Sequence, residues 1–75
     1  MNTTEERTRT KGEELERRQR LAEIREAVAL LREEMRRTEQ LFDLSADEDL
    51  IEACIYERNA QTARLNYLCR LAKEV

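Results

Sequence analysis

The chain has no histidine, proline or tryptophan, and Gly12 is the single glycine among its 75 residues. With no proline and no later glycine, nothing interrupts a helix between Glu13 and Val75 except local turn chemistry near Ser45. Without histidine, and with Cys54 and Cys69 fifteen positions apart, the sequence offers no zinc-ligand spacing. Fifteen residues of helix span about 22 Å, beyond disulfide reach, so both cysteines read as small apolar side chains in a reducing compartment. No glycine-rich loop is available to cradle a phosphate. Asp47-x-Asp49 lacks the glycine and the downstream glutamate of a calcium loop. Aromatic residues are 4% of the chain and β-branched residues are few, which excludes a sheet. The sequence shows neither a signal-peptide pattern nor an apolar run of membrane-spanning length, so a cytoplasmic protein without membrane association is expected. Carboxylate pairs such as Glu33/Glu34 and Asp47/Asp49 come with no sign of a cleft, and Cys69 beside Arg70 has no base. Neither catalysis nor a cofactor is expected.

What the chain does have is charge. Asp, Glu, Lys and Arg make up 41% of it, both signs interspersed, which suits exposed helix faces. The net charge of −3 and pI near 5.1 argue against nucleic acid as the main ligand. Asp43, Asp47, Glu48, Asp49 and Glu52 form an acidic cluster, while Arg58, Arg64, Arg70 and Lys73 make the last turns basic. Matching to the dipole of a second helix explains that gradient; an acidic docking tip is the alternative.

Residues 1–12 are polar, Thr-rich and aperiodic, and read as a mobile tail. Thr10 and Glu13 have capping-box spacing, and Glu13/Arg17, Glu14/Arg18 and Glu16/Arg20 are favourable pairs on a solvated helical overhang. Leu21, Ile24, Val28, Leu31, Met35, Thr38 and Phe42 then recur at 3-4-3-4-3-4, the heptad seam of near-parallel helix packing, with Thr38 the one polar member. The pattern stops near Asp43. Ser45 with Glu48 forms a capping box, and Asp47 is a competing N-cap. The reading is all-α: a helix over about 13–43, a turn over about 44–47 and a helix over about 48–74, folded as an antiparallel hairpin. The second helix brings Ile51, Cys54, Ile55, Leu65, Leu68 and Ala72 to the core, with Leu50 beside Ile51, Thr62 beside Gln61 and Cys69 beside Leu68 as neighbouring choices. Arg58 and Gln61 interrupt that stripe. Arg58 is expected to pack its stem and send its guanidinium towards Glu33 or Glu34, with a buried polar layer as the alternative.

Tyr56, Ala60, Ala63 and Tyr67 share a second face of the later helix, roughly opposite the Ile51–Leu65–Leu68 stripe. Small residues between tyrosines allow close helix approach, and Tyr suits interfaces because it joins apolar area to a polar tip. Leu30 and Leu41 lie off the first seam and extend the patch. A hairpin this small buries little, so a partner or self-association is expected, most simply a homodimer closing a four-helix bundle.

The stretch Phe42–Lys73 resembles the YaaL-like family of short bacterial proteins of unknown function. The likeness rests on Asp47 and Asp49, Leu50-Ile51, Ile55-Tyr56-Glu57, Ala60, Ala63-Arg64, Asn66-Tyr67-Leu68 and Ala72-Lys73. Arg58 stands where that pattern implies an apolar residue, and Leu65 where it implies an aromatic one. The resemblance implies a helical fold and a bacterial, Gram-positive origin, and brings no activity, cofactor or catalytic residue. The sporulation aspartyl-phosphate phosphatases are also acidic hairpins of this size. Their Ser-Gln-x-x-x-Asp-like signature has no counterpart in Ala53-Cys54-Ile55-Tyr56-Glu57. The leading expectation is a non-enzymatic interaction or adaptor module. The alternatives are a nucleic-acid accessory using Arg58, Arg64, Arg70 and Lys73, and a hairpin regulator of a phosphorylated response protein.

Overall fold

Two helices account for the fold: α1 (Thr3–Leu44) and α2 (Glu48–Glu74), packed antiparallel. The computed structural model describes the backbone from Thr3 to Val75 and side chains from Lys11 onward. Met1 and Asn2, and with them the start of the expected tail, lie outside the described residues. Helix α1 begins ten residues before the expected start near Glu13. The stretch ahead of Glu13 lacks an apolar seam but also lacks proline, so nothing in it stops the helix. The Thr10–Glu13 pair is therefore interior to α1, not its cap.

The turn is held by one backbone and two side-chain oxygens. Ser45 N–H donates to Phe42 O (3.4 Å), and Asp47 N–H donates to Ser45 Oγ (3.3 Å). Of the two candidate caps, Asp47 closes α2. Its backbone is extended (φ −82°, ψ 126°), and its Oδ1 accepts from Leu50 N–H at 3.0 Å. Glu48 and Asp49 place negative charge in the first turn and Lys73 a positive one in the last, as the helix dipole favours. Asp47→Ala should lower stability by about 1 kcal/mol in thermal melts followed by circular dichroism. A loss no larger than that of Ser45→Ala would show that Asp47 does not set the helix start.

The seam holds Leu31, Thr38, Cys54 and Gln61 buried, flanked by half-buried Leu21, Ile24, Val28, Met35, Phe42, Ile51, Leu65, Leu68 and Ala72. Four members of the expected stripe sit differently, among them Thr62, which is exposed while Gln61 is buried. Ile55 is 45% exposed: Cys54 takes the inward position, and one residue further turns about 100° away from α1. Leu50 is exposed while Ile51 packs, and Cys69 is exposed while Leu68 packs. Leu71, outside the expected stripe, is half-buried. On the overhang, Glu14 pairs with both Arg17 and Arg18, so of the three anticipated pairs Glu14/Arg18 is formed.

Candidate functional site

At the middle of the seam the helices meet through a polar layer. Gln61, 1% exposed, donates from Nε2 to Thr38 Oγ1 at 2.9 Å, and Thr38 in turn donates to Glu34 O at 3.1 Å. The Gln61 Oε1 is buried and has no partner among the described residues. This layer fixes which residues face each other. With Thr38 opposite Gln61, Arg58 lies across from Glu39 (3.8 Å), with its guanidinium 5.7 Å from the Phe42 ring centroid. Glu34 instead meets Arg64 at 3.8 Å. The expected Arg58 contact with Glu33 or Glu34 is thus corrected: the register set by Thr38 and Gln61 places those acids too far along α1. Arg58 is the packed snorkelling cation and Gln61 the buried polar group.

The Arg64–Glu34 pair crosses one flank of the hairpin, and on that flank the apolar surface is open. Towards the open end, Ala27, Leu30, Leu31, Tyr67 and Leu68 line a groove of about 360 Å³. Leu30 is 57% and Tyr67 51% exposed there, so the groove has apolar walls with nothing over them. Towards the turn, Leu41, Leu50, Ala53 and Cys54 line a second groove with Thr38 and Glu57.

Of the residues singled out by sequence, Leu30 and Tyr67 come together in the first groove, and Leu41 stands in the second. Ala60 is exposed on the same flank between them, by helical periodicity. Tyr56 and Ala63 lie further round α2, away from α1, and are not brought into either groove. Tyr56 is well exposed, and its hydroxyl donates to Glu52 Oε1 at 3.3 Å within the helix. Ala27, Ala53 and Leu71 belong to this flank as well and were not singled out, and Leu50, read as a core choice, lies there too. Their signal is a second 4-3 spacing beside the seam, legible only once the seam itself is known.

Among the described residues, no group of three or more Cys, Asp or Glu side chains is placed to hold a metal ion, and no helix is long and apolar enough to cross a membrane. No curated protein and no solved structure shows significant similarity to the chain. Residues 6–75 match a family described as a protein of unknown function (DUF2508), and over that span, nearly the whole hairpin, the chain belongs to that family.

Proposed function

We propose that this protein is a non-enzymatic interaction module, acting in the bacterial cytoplasm, that docks a protein through the flank bearing Leu30, Leu41, Ala60 and Tyr67. The observation that carries this reading is the open apolar groove with half-exposed Leu30 and Tyr67 as its walls. Side chains of that size left in water forgo about 1–2 kcal/mol each that burial against a partner recovers. The YaaL-like resemblance fits the same reading and adds no chemistry to it. A nucleic-acid role through Arg58, Arg64, Arg70 and Lys73 is less well supported, because Arg58 and Arg64 already face Glu39 and Glu34. Phosphoprotein regulation through the start of α2 finds Cys54 buried and, from Glu48 to Glu57, no carboxamide and no hydroxyl other than that of Tyr56.

A photo-reactive amino acid placed at Tyr67 or Leu30 in the producing cells should yield covalent protein adducts, whereas one at Asn59, on the far side of α2, should yield none. Introducing Leu30→Glu into the Tyr67-labelled protein should reduce adduct formation at least tenfold. Adducts from Asn59 alone, or none from the groove, would remove the proposal.

A further inference from the structure

The structure assigns an occupant to that flank: a second copy of the same chain, turned end for end about a two-fold axis, so that two hairpins close a four-helix bundle. This rests on the reading of the flank as an interaction surface and goes further by naming its partner and the charges that select it.

Beside the seam, α1 carries Ala27, Leu30, Glu34, Arg37, Leu41 and Leu44 at spacings 3-4-3-4-3, and α2 carries Ala53, Glu57, Ala60, Arg64, Tyr67 and Leu71 at 4-3-4-3-4. A second heptad stripe on each helix of a hairpin is what a further layer of near-parallel helices requires. Both stripes lie on one face, since the Glu34–Arg64 pair joins them and each groove is lined from both helices. Both are apolar or small at their ends and charged in the middle, with one acid and one base apiece.

That order is self-complementary. When α2 lies antiparallel on α2 of the copy, Glu57 meets the copy's Arg64 and the two Ala60 positions cross, where small side chains permit close approach. On the α1 side Glu34 then meets Arg37, and Leu30 meets Leu41. When α2 lies instead on α1 of the copy, the hairpin's own register carries over, so Arg64 meets Glu34 but Glu57 meets Leu41. Only the first arrangement sets acid against base at each central position. Thr38 lies opposite Gln61 and Glu34 opposite Arg64, so the centres of the two stripes stand within about one helical turn of the same height. An axis placed midway between them leaves each acid–base pair offset by less than about one turn along the helices, within the reach of Glu and Arg side chains.

The interior points the same way: two of the four buried seam residues, Thr38 and Gln61, are polar.

The test is sedimentation equilibrium of the purified full chain and its charge-reversed variants, with circular dichroism on the same samples. The unaltered chain should be a helical dimer at micromolar concentration. Glu57→Arg and Arg64→Glu should each weaken dimerisation about tenfold with helicity retained. An equimolar mixture of those two variants should regain the original affinity. Rescue by mixing cannot come from misfolded protein, so it supports the proposal. A helical monomer throughout, or variants that dimerise as the unaltered chain does, would overturn it. Groove adducts with a different protein in cells would, in that case, leave the interaction module standing and remove the second copy alone.

Discussion

Leu31→Ala is expected to cost about 2–4 kcal/mol and to leave most of the chain unfolded at room temperature. Leu31 is 5% exposed and is, with Cys54, one of two fully buried apolar side chains in the described hairpin. Truncating it removes apolar contacts where large side chains of both helices meet, Leu31 from α1 and Leu68 from α2 lining the same groove. A hairpin whose remaining seam is half-exposed has little else to hold the helices together, so a loss of that size takes most of its stability. Urea denaturation followed at 222 nm would show the midpoint falling below the accessible range. Leu44→Ala, at an 86% exposed position just before the turn, should move it by less than about 0.5 kcal/mol. Equal effects at the two positions would mean that the seam does not hold the fold.

The second large effect has the opposite sign. Gln61→Leu should raise stability by about 1–2 kcal/mol. The amide is 1% exposed, and although its Nε2 has Thr38, its Oε1 is a desolvated acceptor without a partner among the described residues. Such a group costs about 1–3 kcal/mol, against roughly 1 kcal/mol returned by the single hydrogen bond it makes. Leucine fills nearly the same volume with no polar atom to desolvate. Thr38 is not stranded by the change, since its hydroxyl keeps Glu34 O. Stability and uniqueness then separate: without the Gln61–Thr38 bond the two apolar seams can slide by one heptad. A higher denaturation midpoint together with doubled or broadened amide resonances is the expected pair of observations. A lower midpoint would mean that Oε1 is satisfied in the assembled protein and that the layer stabilises it.

These two positions also mark how far sequence alone reaches. The turn and the bounds of α2 were legible because Ser45, Asp47 and Glu48 act locally, and the α1 seam was legible because its 3-4 spacing runs unbroken from Leu21 to Phe42. The α2 seam was harder. In a two-helix hairpin the buried strip is about one residue wide per turn, so Ile55, one position from Cys54, falls outside it. The partner of Arg58 was missed because register is tertiary: nothing within α2 says which turn of α1 Gln61 will face. On the candidate site, helical periodicity alone brought Tyr67 and Ala60 together, and placing Leu30 with them required the seam of α1. It also grouped Tyr56 and Ala63 with them, because the angle between two faces of a helix has no meaning until a neighbour defines the inside. The early start of α1 escaped for a different reason, since an uninterrupted helix needs no apolar signal to continue.

Helix α1 is 42 residues long and α2 27, and the described chain extends 68 × 15 × 10 Å with a radius of gyration of 19.4 Å. A globule of this length would have a radius near 11 Å. Friction in solution follows the long dimension, so the single chain should elute from a sizing column ahead of its mass and tumble faster about its long axis than end over end. Elution volume alone would therefore count two copies where there is one. Static light scattering, which weighs particles without regard to their shape, is free of that error. The anisotropy is also of use: amide vectors along both helices lie nearly parallel to the long axis, so their NMR relaxation would report the slow end-over-end tumbling directly.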